Sequence, residues 1–216
     1  MLDSREPTDP DEVRRFLDGS KGEREPVRYL QRYPDLVSWA FCRTGGHSRF
    51  LLSEFPLGSQ HKVDFVALVS YSGAWEVHYV EFEPVDDDVF TKKGIQSERL
   101  GIGLRQVNDW RHYIKNRPAE VRQDLARWVR QKDLLGHFPT EPLTNQSGNY
   151  LDDMNTVVHE RFHIVIGRTS RLSPEGIRRF GQFGDGVSQP DLVSYDRFVQ
   201  VVTDRQASLR RPRAGS

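Results

Sequence analysis

The chain has 216 residues, with 31 Lys and Arg balanced by 31 Asp and Glu. That length fits one domain around one sizeable core, and zero net charge excludes a bulk polycation while allowing a local basic groove. A single cysteine, Cys42, excludes an intrachain disulfide framework; no apolar run resembles a signal peptide or a membrane span, so the expected location is the cytoplasm, with no membrane partner.

Residues 1–24 are rich in Asp, Glu, Arg and Gly and read as a flexible, frayed or partly helical arm. From 25 to about 205 the chain reads as one domain. "EPVRYLQRYPDLVSWAF" predicts a short helix, a break near Pro34 and a second helical turn. Three strand-like runs follow, "SRFLLSEFPL", "HKVDFVALVSY" and "WEVHYVEFEP", joined by "GSQ" and "SGA". These turn signals predict an antiparallel meander with a hairpin at Ser72-Gly73.

After the loop "VDDDVFTKKG", Leu100, Leu104, Val107, Trp110 and Ile114 form a helical stripe. Pro118 closes that helix and opens the next, "AEVRQDLARWVRQK". Residues 135–155 read as a mobile or partner-facing loop. "RFHIVIGRT" reads as a buried strand, "SPEGIRRFGQF" as a helix capped by Ser173, and "DLVSYDRFVQVV" as a strand turning into a helix. The tail from 206 to 216 is basic and reads as disordered. The order predicts an α/β or α+β fold, a mixed and mostly antiparallel sheet flanked by helices.

"WEVHYVEFEP" ends in Glu81 and Glu83, which share one face of a strand. Asp64 lies between Val63 and Phe65 in the preceding run, and a hairpin brings it to the same neighbourhood. An ionised Asp among apolar residues is costly unless paired or bound to a metal. A hard divalent cation such as Mg²⁺ removes the conflict among three carboxylates, and it could activate water and stabilise a phosphoryl group in transit.

Asp64 followed by Glu81-Phe82-Glu83 resembles the core of PD-(D/E)XK nucleases, and Gln106 with Trp110 resembles the Gln-plus-aromatic pair that follows it in several of those families. The ordered set "VDFVAL", "VEFEP", "LRQVNDW", "IVIGR" and "LVSYDRF" resembles the Shedu family of bacterial anti-phage nucleases over roughly residues 25–205. That resemblance implies an endonuclease acting on DNA with Mg²⁺ or Mn²⁺, often as a homo-oligomer. Asp64 and Glu81 would ligate the metal, with the Phe82 backbone carbonyl as a further ligand. Gln106 would orient a ligand, a water or the substrate backbone. Lys92, Lys93, Arg99 and Arg105 are candidate phosphate contacts. Control through oligomerisation or a regulatory partner protein is a further expectation.

Glu83 stands where the resemblance leads one to expect Lys. It supplies no positive charge; it could act as general base or help hold a second ion. A nuclease fold that binds or senses nucleic acid without cutting it is the alternative.

Each residue also has a plain reading. Asp64 could pair Lys62, and Glu81 and Glu83 could end a solvated strand before Pro84. Gln106 could be solvated and Trp110 core, while Asp86, Asp87 and Asp88 read as a solvated loop. The rival motif "HERFH", His159 to His163, matches the zinc-protease pattern H-E-x-x-H. That chemistry needs a helix, and the surroundings are β-rich. In a strand the two imidazoles lie about 13 Å apart, too far for one zinc.

Overall fold

The computed structural model describes residues 9–42, 46–136, 143–184 and 187–210. Three helices come first: α1 (Pro10–Gly19), α2 (Arg24–Arg32) and α3 (Pro34–Phe41). The meander follows as β1 (Ser48–Leu57), β2 (His61–Ser70) and β3 (Ala74–Phe82). Then come α4 (Glu98–Asn116), α5 (Pro118–Lys132), β4 (Val157–Val165), α6 (Pro174–Phe180), β5 (Asp191–Val193) and α7 (Asp196–Arg210). The sheet runs β1-β2-β3-β4-β5 in sequence order. β1 to β3 pair antiparallel, while β4 and β5 add on in parallel. This is the mixed, helix-flanked sheet expected from the sequence.

Side-chain alternation explains the two layers. One face of β3 presents Trp75, Val77 and Tyr79 to the layer containing Trp110, Ile114 and Leu125 of α4 and α5. The other presents Val80 and Phe82 to the layer of α1, α3 and α7. α4 starts where Ser97 accepts the Leu100 N–H, a side-chain cap for an orphan helix donor. Its buried stripe is the expected one, except that Leu104 is half-buried and Gly103 takes a buried place. After α5, Leu134 N–H donates to Leu51 O (2.8 Å), covering part of the outer edge of β1. No helix among the described residues is long and apolar enough to cross a membrane.

Three segments differ from expectation. Part of the supposed arm is α1, capped by Asp9, with Val13 and Leu17 buried against the α3–α7 layer. Two apolar residues four apart suffice to dock a short helix once a partner surface exists. Residues 143–155 of the supposed mobile loop pack instead: Leu143 and Leu151 join the core, and Asn145 Oδ1 accepts the Ser147 and Asn149 N–H groups; residues 137–142 lie outside the described residues. Residues 206–210 of the supposed disordered tail continue α7, while 211–216 lie outside the described residues.

Candidate metal centre

The register Phe65↔Val80, carried one pair further, sets Asp64 opposite Glu81. The ladder stops there because Asp64 Oδ2 accepts the Phe82 N–H (2.9 Å), so a side chain takes a strand donor. On the other side, the β1–β2 pairing skips Glu54 and Asp64. Glu54 has φ of 51°, an uncommon conformation for a side chain with a Cβ. Asp64 therefore sits at an interruption of the sheet, beside a residue in a costly conformation, and such costs cluster at functional sites.

Glu81 and Glu83 are more deeply buried than a solvated strand end would be, at 6% and 3% exposed. Glu81 Oε2 is buried without a hydrogen-bond partner. Burial, then repulsion from Asp64 and Glu83, holds its carboxyl well above the usual carboxylate range. Burial pushes Asp64 up to about 6, opposed by the Phe82 N–H. Burial followed by repulsion from Glu23 pushes Glu83 up to about 7, opposed by Arg99. Lys62, the plain partner for Asp64, instead pairs Glu54 (2.8 Å).

Two residues the sequence reading passed over complete the neighbourhood. Glu23, at the start of α2, raises the carboxyls of Asp64, Glu81 and Glu83 alike. The chain carrying it is tied down by Gly22, whose N–H donates to Asp86 Oδ1 (2.8 Å) and whose carbonyl accepts the Val85 N–H (3.1 Å). Gly103 of α4 is the other: a Cβ there would lie 2.9 Å from Glu83 Oε1 and 3.4 Å from Ile164 Cγ2. Glycine weakens a helix interior, and "LGIGL" was the available signal that something approaches α4 closely.

Gln106 is half-buried one turn beyond Gly103, on the side of α4 that also carries Trp110, which is core. The Phe82 ring lies on the opposite sheet face, against Phe65, Tyr195 and Phe198. Tyr195 reaches back with its hydroxyl to the Glu83 carbonyl (2.8 Å) and so fixes the end of the acidic strand.

The candidate phosphate contacts do not form one group. Lys92 and Lys93 are exposed on the loop before α4. Arg99 lies on the Gly103 stripe, with Asp87 Oδ2 at 3.5 Å. Arg105 is exposed on a different stripe, beside Gly101. Asp86 and Asp87 are half-buried and engaged through these contacts rather than solvated; Asp88 is exposed. "HERFH" lies in strand β4, which removes the helix a zinc protease needs.

Among the described residues, no three or more His, Cys, Asp or Glu side chains are gathered around one point as a metal cage. The donor set nonetheless suits a hard cation: several buried acids, one orphaned oxygen, and local cations engaged with other acids.

A helix-flanked mixed sheet with an acid cluster at the carboxyl end of its central strand defines the class of this protein. The family model described as Shedu protein SduA, C-terminal, matches residues 21–199, and the chain belongs to that family of Shedu defence proteins. No curated protein matches the chain.

Proposed function

We propose that this protein is a metal-dependent endonuclease that hydrolyses phosphodiester bonds in DNA as part of bacterial anti-phage defence, with a core of the PD-(D/E)XK type. The observation that carries the proposal is the trio Asp64, Glu81 and Glu83, buried or half-buried together with raised carboxyls and an orphaned Glu81 oxygen. Asp64, Glu81 and the Phe82 carbonyl would hold Mg²⁺ or Mn²⁺, and Glu23 adds negative charge beside them. A bound cation of this kind supplies charge stabilisation at the phosphoryl group and lowers the pKa of a water. Glu83, poised near neutrality, accepts the proton of the attacking water. Gln106 orients that water or the substrate backbone. Lys92, Lys93, Arg99 and Arg105 meet phosphates and give affinity without reading sequence. A homo-oligomer and control by a partner protein belong to the same proposal; a monomer in sedimentation that cleaves freely would count against both.

Plasmid cleavage with Mg²⁺ or Mn²⁺ tests the reading. Activity should be present in the unaltered protein and lost in Asp64→Ala. Metal-dependent cleavage that survives joint replacement of Asp64, Glu81 and Glu83 by Ala would sink it.

A second reading is favoured by one sequence feature, the Glu at position 83 where a Lys is expected, and by side chains not gathered around one point. It makes the chain a nucleic-acid-binding or sensing module. DNA binding with no cleavage under either metal selects it.

A further inference from the structure

Part of β4 has an open edge. β4 pairs with β3 over its whole length, from Val157 to Val165, but β5 covers only His163 to Val165 on its other side. Among the described residues, no strand pairs with the outer edge of residues 157–161. Alternate residues of a strand turn their N–H and C=O groups to opposite neighbours. The Val165 carbonyl accepts the Glu83 N–H, while the Ile166 N–H donates to the Val193 carbonyl. The odd-numbered residues of β4 therefore face β3, and Val158 and Glu160 turn their backbone groups outward. Both are half-buried, between the exposed Val157 and His159. Glu160 belongs to "HERFH", the stretch whose protease reading fails on its strand conformation.

That edge forms one side of a cleft of about 570 Å³ whose other wall is the second half of α4. α4 runs antiparallel to β4. Gly103 approaches Ile164, the Arg111 guanidinium lies over the Phe162 ring (5.6 Å), and Lys115 and Pro118 share the cleft with Val158. The wall is cationic. Arg111 donates to the carbonyls of Ser188 (2.6 Å) and Val187 (3.1 Å), bonds that fix its place without cancelling its charge. His112 and Lys115 line the same wall and are exposed. The one acid in the lining among the described residues, Glu160, is offset by Arg122 of α5. Arg161 is neutralised by Glu76 (2.9 Å) and adds little to the field.

We propose that the open edge of β4 docks an extended acidic segment of a partner protein, which adds as a strand beside Val158 and Glu160 and turns alternate side chains toward Arg111 and Lys115. An unpaired strand edge is a template for another chain. Strand addition takes its affinity from main-chain bonds and its specificity from every second side chain, and the cations of α4 select acids at those positions. A nucleic-acid duplex would use the cations but none of the open strand bonds. The cleft also stands apart from the acid cluster: Val158 pairs Trp75, six residues before Glu81, about 20 Å along the strand. The docking site deepens the proposed control by a partner protein and rests on that reading for what the partner controls; docking itself needs no cleavage.

Backbone amide NMR of the full chain, titrated with a short peptide of alternating Glu and Val, tests this. The Val158 and Glu160 N–H signals should move downfield and exchange more slowly with solvent. A peptide of alternating Lys and Val, or the acidic peptide with its amides N-methylated, should leave them in place. Lys115→Glu, an exposed change that spares the fold, should weaken binding of the acidic peptide about tenfold. Absence of the shifts at millimolar peptide, equal shifts with the Lys peptide, or binding indifferent to Lys115→Glu overturns the proposal. Shifts that grow with protein concentration alone overturn it in favour of a second copy. A DNA duplex that displaces the peptide from Val158 and Glu160 overturns it in favour of nucleic acid. Plasmid cleavage is a separate readout, so failure of the nuclease reading leaves these shifts unchanged and failure of docking leaves cleavage unchanged.

Discussion

The proposed chemistry turns on Glu83. Its carboxyl is pushed up to about 7, close to the optimum for a general base working near neutral pH. A cation bound beside it opposes that rise, so cleavage should increase with pH and level off at or below about 7. Glu83→Gln should lower the rate by about 10²–10⁴-fold and remove that inflection, as single-turnover rates across pH would report. Gly103 tests the placement of the same side chain. A Cβ in Gly103→Ala would press on Glu83 Oε1 and Cγ, so cleavage should fall while DNA affinity and the thermal transition change little; equal loss of both would mean that Gly103 serves only packing. A Gly inside a helix run was visible in the sequence, but its neighbour was not, because the contact joins residues twenty positions apart on different elements.

At the scale of elements, the acidic strand is held from behind. Tyr195, just before α7, donates to the Glu83 carbonyl. Arg168, 5% exposed, follows β4 and ties Asp18 of α1 (2.7 Å) to Asp196 of α7 (2.8 Å). The two acids are 59% and 31% exposed and stay solvated without it, so Arg168→Ala should cost about 1–3 kcal/mol in urea unfolding through lost charge-assisted hydrogen bonds; a loss under about 1 kcal/mol would show that the clamp contributes little. The strands and long helices were legible in the sequence because their periods and caps are local: "SGA" for the hairpin, Ser97 and Ser173 for helix starts, the Leu100–Ile114 stripe for α4. The docking of α1, the packed 143–155 segment, Arg168 and Glu23 were not, since each depends on a partner far along the chain. Asp64, Glu81 and Glu83 were legible as neighbours because a hairpin and a period of two fix their faces. Their burial was not, because what closes over them, such as Gly103 of α4 against Glu83, comes from elsewhere along the chain.

For the whole molecule, the acid cluster couples stability to pH with an unusual sign. Carboxyls raised in the folded state bind more protons there than in the unfolded chain. Their contribution is most favourable below about pH 4 and is lost as pH rises through the folded values, about 6 for Asp64 and about 7 for Glu83, with Glu81 also held well above the usual carboxylate range. Glu81→Gln should therefore gain stability over the unaltered protein as pH rises from 5 to 8, measured by urea unfolding without metal; a difference that shrinks over that range would contradict the burial of Glu81. A bound cation would reverse the penalty, so Mn²⁺ should raise the melting temperature more at pH 8 than at pH 6, where protons compete for the same oxygens.

The central claim is that Asp64 and Glu81 hold a divalent cation at the end of β3. Anomalous diffraction from crystals soaked in Mn²⁺ tests it most directly. The expected result is a peak between the two carboxylates that vanishes in Asp64→Ala. No peak there at saturating Mn²⁺ and pH 8, with the acids otherwise ordered, would contradict it.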